Sequence, residues 1–252
     1  MLAKDDIVMI APAPVRKITK NNKNNLQKLD IIFENDELIA INKPSGLLSI
    51  ASDREKEITA YRLLMDYVRT KDPHNRIYVV HRIDKDTTGL IIVAKNDKAH
   101  LELSKQLQDK TVNRLYYALV HGTFAHDYGT IDAPIGRDET DRQKMAVTEK
   151  NSKEARTHFR VLERFKDYSL VECRLETGRT HQIRVHMRYI DHPIVGDEKY
   201  GYRRTMKIGG QLLHAHQLEF VHPSTGEKMV VEAEIPQDFA EVLQRLRAER
   251  DA

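Results

Sequence analysis

Two short apolar runs enclose a polar segment in the first half of the chain. Residues 77–80 (Ile-Tyr-Val-Val) precede it and residues 90–94 (Leu-Ile-Ile-Val-Ala) follow it. Such β-branched runs are typical of strands that are covered on both faces. The polar segment between them is therefore predicted to be a turn held by two rigid strands, which is where chemistry is commonly placed.

Strands and helices alternate densely from residue 29 onward. Residues 60–69 and 99–107 carry apolar residues at helical spacing, a third helix is predicted from Thr180 to about Tyr189, and a terminal helix from Pro236 towards Arg247. Predicted strands cover residues 30–33, 38–41, 77–80, 90–94, 115–121, 158–165, 168–175, 212–220 and 228–233. Since most strands are adjacent in sequence, we expect an α+β fold with a mixed, largely antiparallel sheet.

Residues 1–28 differ from the rest of the chain. Residues 2–10 read as a turn and a strand with little nearby to pair with, and residues 15–28 are basic, rich in asparagine and poor in apolar residues. The second stretch is typical of a linker. We expect residues 29–252 to form one domain.

Composition adds few constraints. Lys and Arg number 41 against 38 Asp and Glu, which gives a net charge of +3, so a nucleic-acid surface would need segregated charge. The single cysteine, Cys173, excludes a disulfide framework or a cysteine metal site and favours a reducing compartment. No run approaches the roughly 20 apolar residues of a membrane span, and no secretory segment is evident, so a cytoplasmic protein is expected.

The polar segment carries a specific pattern. Residues 81–90 read His-Arg-Ile-Asp-Lys-Asp-Thr-Thr-Gly-Leu, which resembles the signature of the RluA family of pseudouridine synthases, His-Arg-Leu-Asp-x-x-Thr-Ser-Gly-Leu. Ile83 replaces the leucine and Thr88 replaces the serine. The resemblance implies that Asp84 is the catalytic nucleophile and that Arg82 helps to displace the target base from RNA.

Three further blocks extend the resemblance over roughly residues 30–235. Residues 42–47 match the first motif of the family and place Lys43 as a candidate RNA contact. Residues 114–122 match a Lys-x-Tyr-x-Ala-Leu-Val-x-Gly pattern, in which Tyr116 takes the position of the active-site tyrosine. Alternation along the strand sends Tyr117 to the opposite face.

The third block, residues 178–186, reads Gly-Arg-Thr-His-Gln-Ile-Arg-Val-His and matches the family motif without a departure. By resemblance, Arg184 pairs with the nucleophile, while Arg179, His181 and Arg188 are candidates for RNA binding. We expect Thr180 to cap the helix, with an apolar stripe of Ile183, Met187 and Ile190 facing the core. Residues 192–201 and 212–216 resemble two later blocks and are interpreted as shaping the pocket.

A monomer is the default expectation. The resemblance implies a pseudouridine synthase fold around a central RNA-binding cleft and favours ribosomal RNA over transfer RNA as the substrate. It also suggests that residues 1–28 are a remnant of an N-terminal RNA-binding domain plus a basic linker. The isomerisation needs neither cofactor nor metal. The base must be extruded, Asp84 must be ionised, and Tyr116 is expected to stack on the uracil or to act as general base. Whether Asp84 attacks the sugar or the uracil ring is left open.

Two other hypotheses compete with this one. The basic helix and linker would serve an RNA-binding or chaperone protein without chemistry equally well, although such a protein would not place a carboxylate beside RNA. Twelve histidines, including the pair in His-Ala-His at residues 214–216, suggest a metal hydrolase. His181 and His186 are five residues apart, however, and not the four that bring helical ligands together.

Overall fold

The structure, a computed structural model, describes residues 29–51, 58–206 and 208–252, which form a large sheet flanked by helices. The expected remnant and linker, residues 1–28, lie outside the described residues. The helices are α1 (Ala60–Lys71), α2 (Asp97–Gln108), α3 (Gln182–Tyr189) and α4 (Gln237–Asp251). The strands are β1 (Asp30–Glu34), β2 (Leu38–Lys43), β3 (Tyr78–Val79), β4 (Thr88–Ala94), β5 (Asn113–His121), β6 (Tyr128–Asp132), β7 (Ile135–Arg137), β8 (Met145–Val147), β9 (Arg156–Arg164), β10 (Tyr168–Leu175), β11 (Leu213–Val221) and β12 (Lys228–Glu232).

Within the described residues, ten strands form a single sheet in the order β1-β2-β4-β11-β5-β10-β9-β6, with β12 paired to β11 and β3 paired to β4. β7 and β8 form a separate hairpin. The pairs of named strands are antiparallel except β4 and β11, which run parallel over two residue pairs. The predicted α+β fold with a mixed, largely antiparallel sheet is therefore confirmed.

β4 lies inside the sheet and is buried along its whole length. Ile91 and Val93 pack into the core that also contains apolar residues of α1 and α3, whereas Leu90 and Ile92 pack with α2 on the other face. The prediction that this strand is covered on both faces is confirmed.

β5 presents different residues to its two faces. Tyr116 packs into the same core as Ile183 and Met187, so the predicted apolar stripe of α3 faces the core. Tyr117 belongs to the core beside α4, and its ring stacks on His216 with 4.3 Å between the ring centroids. The predicted separation of the two tyrosines is confirmed.

The third helix begins later than the sequence predicts. Its N-cap is His181 and not Thr180, and the cap residue makes no side-chain cap bond. The amide oxygen of Gln182 instead accepts hydrogen bonds from the Thr177 hydroxyl (2.8 Å) and from the backbone N–H of Arg179 (2.9 Å). The side chain of the first helical residue therefore organises the preceding loop, which a search for an N-cap hydroxyl cannot detect.

Cys173 is fully buried in β10 and packs in the core as a small apolar residue. Across the part of the chain that the structure describes, no helix has the length and apolar character to cross a membrane.

Candidate active site

Asp84 lies in the loop that connects β3 to β4. These two strands pair antiparallel, with Tyr78 opposite Ala94. Beyond the end of β3, His81 also contacts β4, because its Nε2 accepts a hydrogen bond from the backbone N–H of Ile92 at 3.0 Å. The loop therefore emerges from two fixed strands, as the sequence predicts.

The loop is also held from its other side. The hydroxyl of Ser49 donates to the carbonyl of Ile83 at 2.6 Å and accepts the N–H of the same residue at 3.2 Å. On the far side of Asp84, the amide of Gln211 donates to the Thr87 hydroxyl at 2.6 Å. Buried side-chain bonds on both flanks thus fix the backbone that carries the carboxylate.

Lys43 supports this loop from inside the protein. Its side chain is fully buried, and its ammonium group donates to the carbonyls of Pro44 and Lys85, each at 2.7 Å. Burial lowers the pKa of Lys43 to about 7, against the attraction of nearby Asp86 and Asp84. The charged end of the side chain is enclosed by backbone, and the RNA contact expected of Lys43 stays a prediction.

Arg184 joins Asp84 to a second carboxylate that sequence reasoning did not assign to the chemistry. Its Nη1 lies 3.0 Å from Oδ2 of Asp84, while its Nε and Nη2 bind the two oxygens of Asp197 at 2.7 and 2.9 Å. Burial alone would lower the pKa of Arg184, but the two carboxylates outweigh it and the net pKa is raised. The guanidinium therefore stays charged and donates a hydrogen bond to Asp84.

Asp197 also fixes Tyr200. Its Oδ1 accepts the backbone N–H groups of Lys199 (2.9 Å) and Tyr200 (3.0 Å), and the Tyr200 ring lies beneath the Arg184 guanidinium at 4.9 Å. The side chain of Asp197 is completely shielded from solvent. Asp197 lies in the block at residues 192–201 that was interpreted as shaping the pocket. The sequence of that block does not indicate a contact with Arg184.

His181 completes the wall on this side of Asp84. The Tyr200 hydroxyl accepts the N–H of Met145 at 2.9 Å and lies 2.7 Å from Nδ1 of His181, so its own proton is available to the imidazole. Burial lowers the pKa of His181, and the attraction of Asp84 does not offset this. The neutral ring is therefore favoured at pH 7, and its Nε2 lies 4.0 Å from Oδ2 of Asp84.

The backbone of His181 is in the left-handed region, with φ of 57°. That conformation is costly for a residue with a side chain, and such costs occur mainly at functional sites.

Tyr116 lines the same cleft as Asp84 and is largely buried. Burial raises the pKa of Tyr116, with Asp84 adding to the effect and Arg114 opposing it. The phenol is therefore protonated at neutral pH and is better suited to stacking than to accepting a proton directly.

The cleft around Asp84 has a volume of about 560 Å³. Six of the predicted site residues line it: Arg82, Asp84, Tyr116, Arg179, His181 and Arg184. Five cationic side chains but only two carboxylates face it, namely Arg82, Lys110, Arg114, Arg179 and Arg184 against Asp84 and Glu176. The lining thus suits an anionic ligand of nucleotide size.

Arg188 does not line this cleft. Its guanidinium lies 3.7 Å from Asp191 and packs over the ring of Tyr202 at 5.2 Å, on the last turn of α3. Any RNA contact by Arg188 would lie outside the cleft.

The histidines of residues 214–216 have structural partners. His214 bonds the Thr88 hydroxyl at 2.8 Å and the carbonyl of Ala233 at 3.0 Å, and His216 bonds that same carbonyl at 2.8 Å. Among the described residues, no three His, Cys, Asp or Glu side chains form a group that could hold a metal ion. The metal-hydrolase hypothesis has no support in this geometry.

Comparisons with known proteins agree with this geometry. The family model described as RNA pseudouridylate synthase matches residues 37–189. An uncharacterized RNA pseudouridine synthase, YlyB, from Bacillus subtilis (strain 168) is 53% identical over 222 residues, covering 87% of this chain and 73% of the relative. The ribosomal large subunit pseudouridine synthase D of Nitrosomonas europaea is 45% identical, covering 87% of this chain and 65% of the relative.

Solved structures show the same architecture. Human RNA Pseudouridylate Synthase Domain Containing 4 superposes with a TM-score of 0.75 at 25% identity, over 90% of this chain and 97% of that one. Fold, cleft and sequence together define an enzyme class, the RNA uridine isomerases. The chain belongs to the RNA pseudouridylate synthase family, and the predicted resemblance is confirmed.

Proposed function

We propose that the protein converts specific uridines of ribosomal RNA to pseudouridine, with Asp84 as the nucleophile. The observation that carries this proposal is the position of the Asp84 carboxylate. It faces a cleft of nucleotide size and lies 3.0 Å from a guanidinium whose other edge is bound to buried Asp197. A carboxylate needed only for folding would not require an open cleft beside it.

The reaction breaks the bond between N1 of uracil and C1′ of ribose, rotates the base, and joins its C5 to C1′. The C5 proton leaves and N1 gains a proton, so atoms and electrons balance without an oxidant or a metal. Asp84 supplies the carboxylate that holds one fragment, through the sugar or through the ring, while the other is reoriented. Arg184 orients that carboxylate through a hydrogen bond of 3.0 Å.

Access to the uridine requires base flipping, which costs a few kcal/mol. Arg82 is exposed, lines the cleft and directly precedes the loop segment that holds Asp84, so its side chain is suited to occupy the space that the base vacates. Tyr116, as a neutral aromatic ring in the cleft, stacks on the flipped uracil, a contact worth about 1–3 kcal/mol.

The preference for ribosomal over transfer RNA is supported by the relatives. Synthases named for the large ribosomal subunit, from Nitrosomonas europaea and Pseudomonas aeruginosa, are 45% and 43% identical to this chain. The chain spans 65% and 74% of their respective lengths, so residues that choose the target uridine can lie outside the shared part.

The test is a map of pseudouridines in total RNA from cells that lack the gene and are complemented with variants. We expect deletion to remove pseudouridine from large-subunit ribosomal RNA, and the wild-type protein to restore it. Asp127→Asn, a matched change at an exposed carboxylate that pairs with Arg164, should restore it as well. Asp84→Asn should not.

Three results would argue against the proposal. Full restoration by Asp84→Asn would remove the nucleophile role. Loss of pseudouridine from transfer RNA alone would contradict the choice of RNA. An unchanged map after deletion would favour the RNA-binding protein without chemistry.

A further inference from the structure

We propose that Arg114, in the space left by Gly178, binds a backbone phosphate of the nucleotide that is flipped into the cleft. Neither residue was among the candidate site residues that the sequence suggested. The inference rests on the proposed function and adds the subsite for the backbone of the substrate.

The position of Arg114 on β5 fits this role. It lies two residues before Tyr116 on the same face of the strand, and both side chains line the cleft. Two residues of extended strand span about 7 Å, which is comparable to the distance from a base to its own phosphate. A uracil stacked on Tyr116 therefore brings its backbone towards Arg114.

The charge of Arg114 is not used by the protein itself. Among the described residues, no carboxylate lies within ion-pair distance of Arg114, and its buried Nε has no hydrogen-bond partner. A guanidinium in the cleft that has no carboxylate partner keeps its capacity to bind an anion. A phosphate offers several acceptor oxygens that match the planar arrangement of a guanidinium.

The two carboxylates of the cleft are already engaged. Asp84 is bound by Arg184, while Glu176 is bound by Arg156 at 3.0 Å and by Lys110 at 3.3 Å. Neither carboxylate pairs with Arg114. A phosphate that enters the cleft therefore meets a guanidinium whose charge no carboxylate balances.

Gly178 explains how the guanidinium fits. The glycine does not adopt a left-handed backbone, but a Cβ at this position would lie only 2.6 Å from Nη1 of Arg114. The absence of a side chain at residue 178 therefore leaves room for the guanidinium. An alanine there would push the cation away from its position without straining the loop.

The experiment measures the affinity of the purified protein for an in vitro transcript of large-subunit ribosomal RNA across salt concentrations. Arg114→Gln should weaken binding about tenfold, the usual effect of a lost charged hydrogen bond. The slope of log affinity against log salt should become shallower by about 0.7–0.9, which corresponds to one phosphate contact. Arg160→Gln is the matched control, because Arg160 is exposed and pairs with Glu172 away from the cleft; it should change neither quantity.

Two further variants separate a ligand contact from a role in folding. Arg114→Lys retains the charge and should retain most of the salt slope. Gly178→Ala should weaken binding as Arg114→Gln does, and the double variant should bind no worse than Arg114→Gln, since both changes remove one contact.

A wild-type affinity and salt slope in Arg114→Gln would overturn the inference, as would an equal loss of slope in Arg160→Gln or additive losses in the double variant. Pseudouridine formation is measured on the same transcript. If the wild-type protein forms none while the salt slopes behave as expected, the proposed isomerase function fails but the phosphate contact stands.

Discussion

Asp197 binds one edge of the Arg184 guanidinium while Asp84 takes another of its N–H groups. A free arginine side chain would sample many rotamers, whereas this one is held by the two charged hydrogen bonds that it donates to a fully shielded carboxylate and by the ring of Tyr200. Asp197 is therefore a positioning residue for the proposed nucleophile, although it does not face the substrate.

Replacing Asp197 with asparagine should reduce both stability and turnover. The change leaves a buried guanidinium without one of its anions, and breaking such a pair costs about 3–5 kcal/mol. We expect the free energy of unfolding in urea to fall by about 3 kcal/mol. At a temperature where the variant is folded, kcat should fall by roughly tenfold or more, about 1.4 kcal/mol of transition-state energy, while RNA affinity is nearly unchanged.

The result that would contradict this account is a variant with wild-type kcat and weakened RNA binding. Such a split would mean that Asp197 acts on substrate binding and not on the geometry at Asp84.

The resemblance to the family motifs was enough to predict that Asp84, Tyr116 and Arg184 share a site. The burial of Lys43 was not predicted. A lysine beside a proline turn looks solvent-exposed in sequence, and its burial depends on the distant loop that contains Lys85. Asp197 was missed as a partner of Arg184 because the contact joins residues 13 apart in a geometry that only the packed chain defines.

At the scale of elements, the contact between β4 and β11 determines how the loop that carries Asp84 meets the rest of the sheet. The two strands run parallel only at Thr88–Gly89 and His214–Ala215. Gly89 has φ of 105°, and a Cβ there would lie 2.2 Å from the carbonyl oxygen of Ala215. The glycine is required by this close backbone approach as well as by its torsion angle.

Gly89→Ala should therefore lower the free energy of unfolding by about 3 kcal/mol or more, since a backbone clash adds to the left-handed strain. Gly226→Ala is the control, because Gly226 also has a positive φ, 72°, but open space around its Cα. Its cost should be about 1–2 kcal/mol, from the torsion angle alone. Urea unfolding of both variants measures the difference, and equal losses would show that the contact with Ala215 is not limiting.

Elements with clear periodicity were predicted, and elements without it were not. β4 and β10 read as buried runs and were identified, whereas β6, whose residues are mostly exposed at the edge of the sheet, and the three-residue strands β7 and β8 were missed. Short or exposed strands form because a neighbour supplies hydrogen bonds, and that neighbour is distant in sequence. The start of α3 was misplaced for a related reason, since the side chain of Gln182 replaces the expected cap.

At the scale of the whole molecule, the modest net charge of +3 conceals a cleft whose cations outnumber its carboxylates by five to two. Composition could not reveal this segregation, because most of the charges elsewhere balance each other. The fold brings loops from distant parts of the chain to one cleft, so an anionic substrate is drawn to the place where Asp84 and Arg184 meet.

The most direct test of the central claim is single-turnover release of tritium from RNA that carries 5-tritiated uridine, with purified protein in excess. Formation of the new carbon–carbon bond releases the label from C5, so the assay follows the isomerisation itself. The account predicts release by the wild-type protein and by Asp127→Asn, and none above background by Asp84→Asn, which should bind the RNA with nearly unchanged affinity. Tritium release by Asp84→Asn at the wild-type rate would contradict the assignment of residue 84 as the nucleophile.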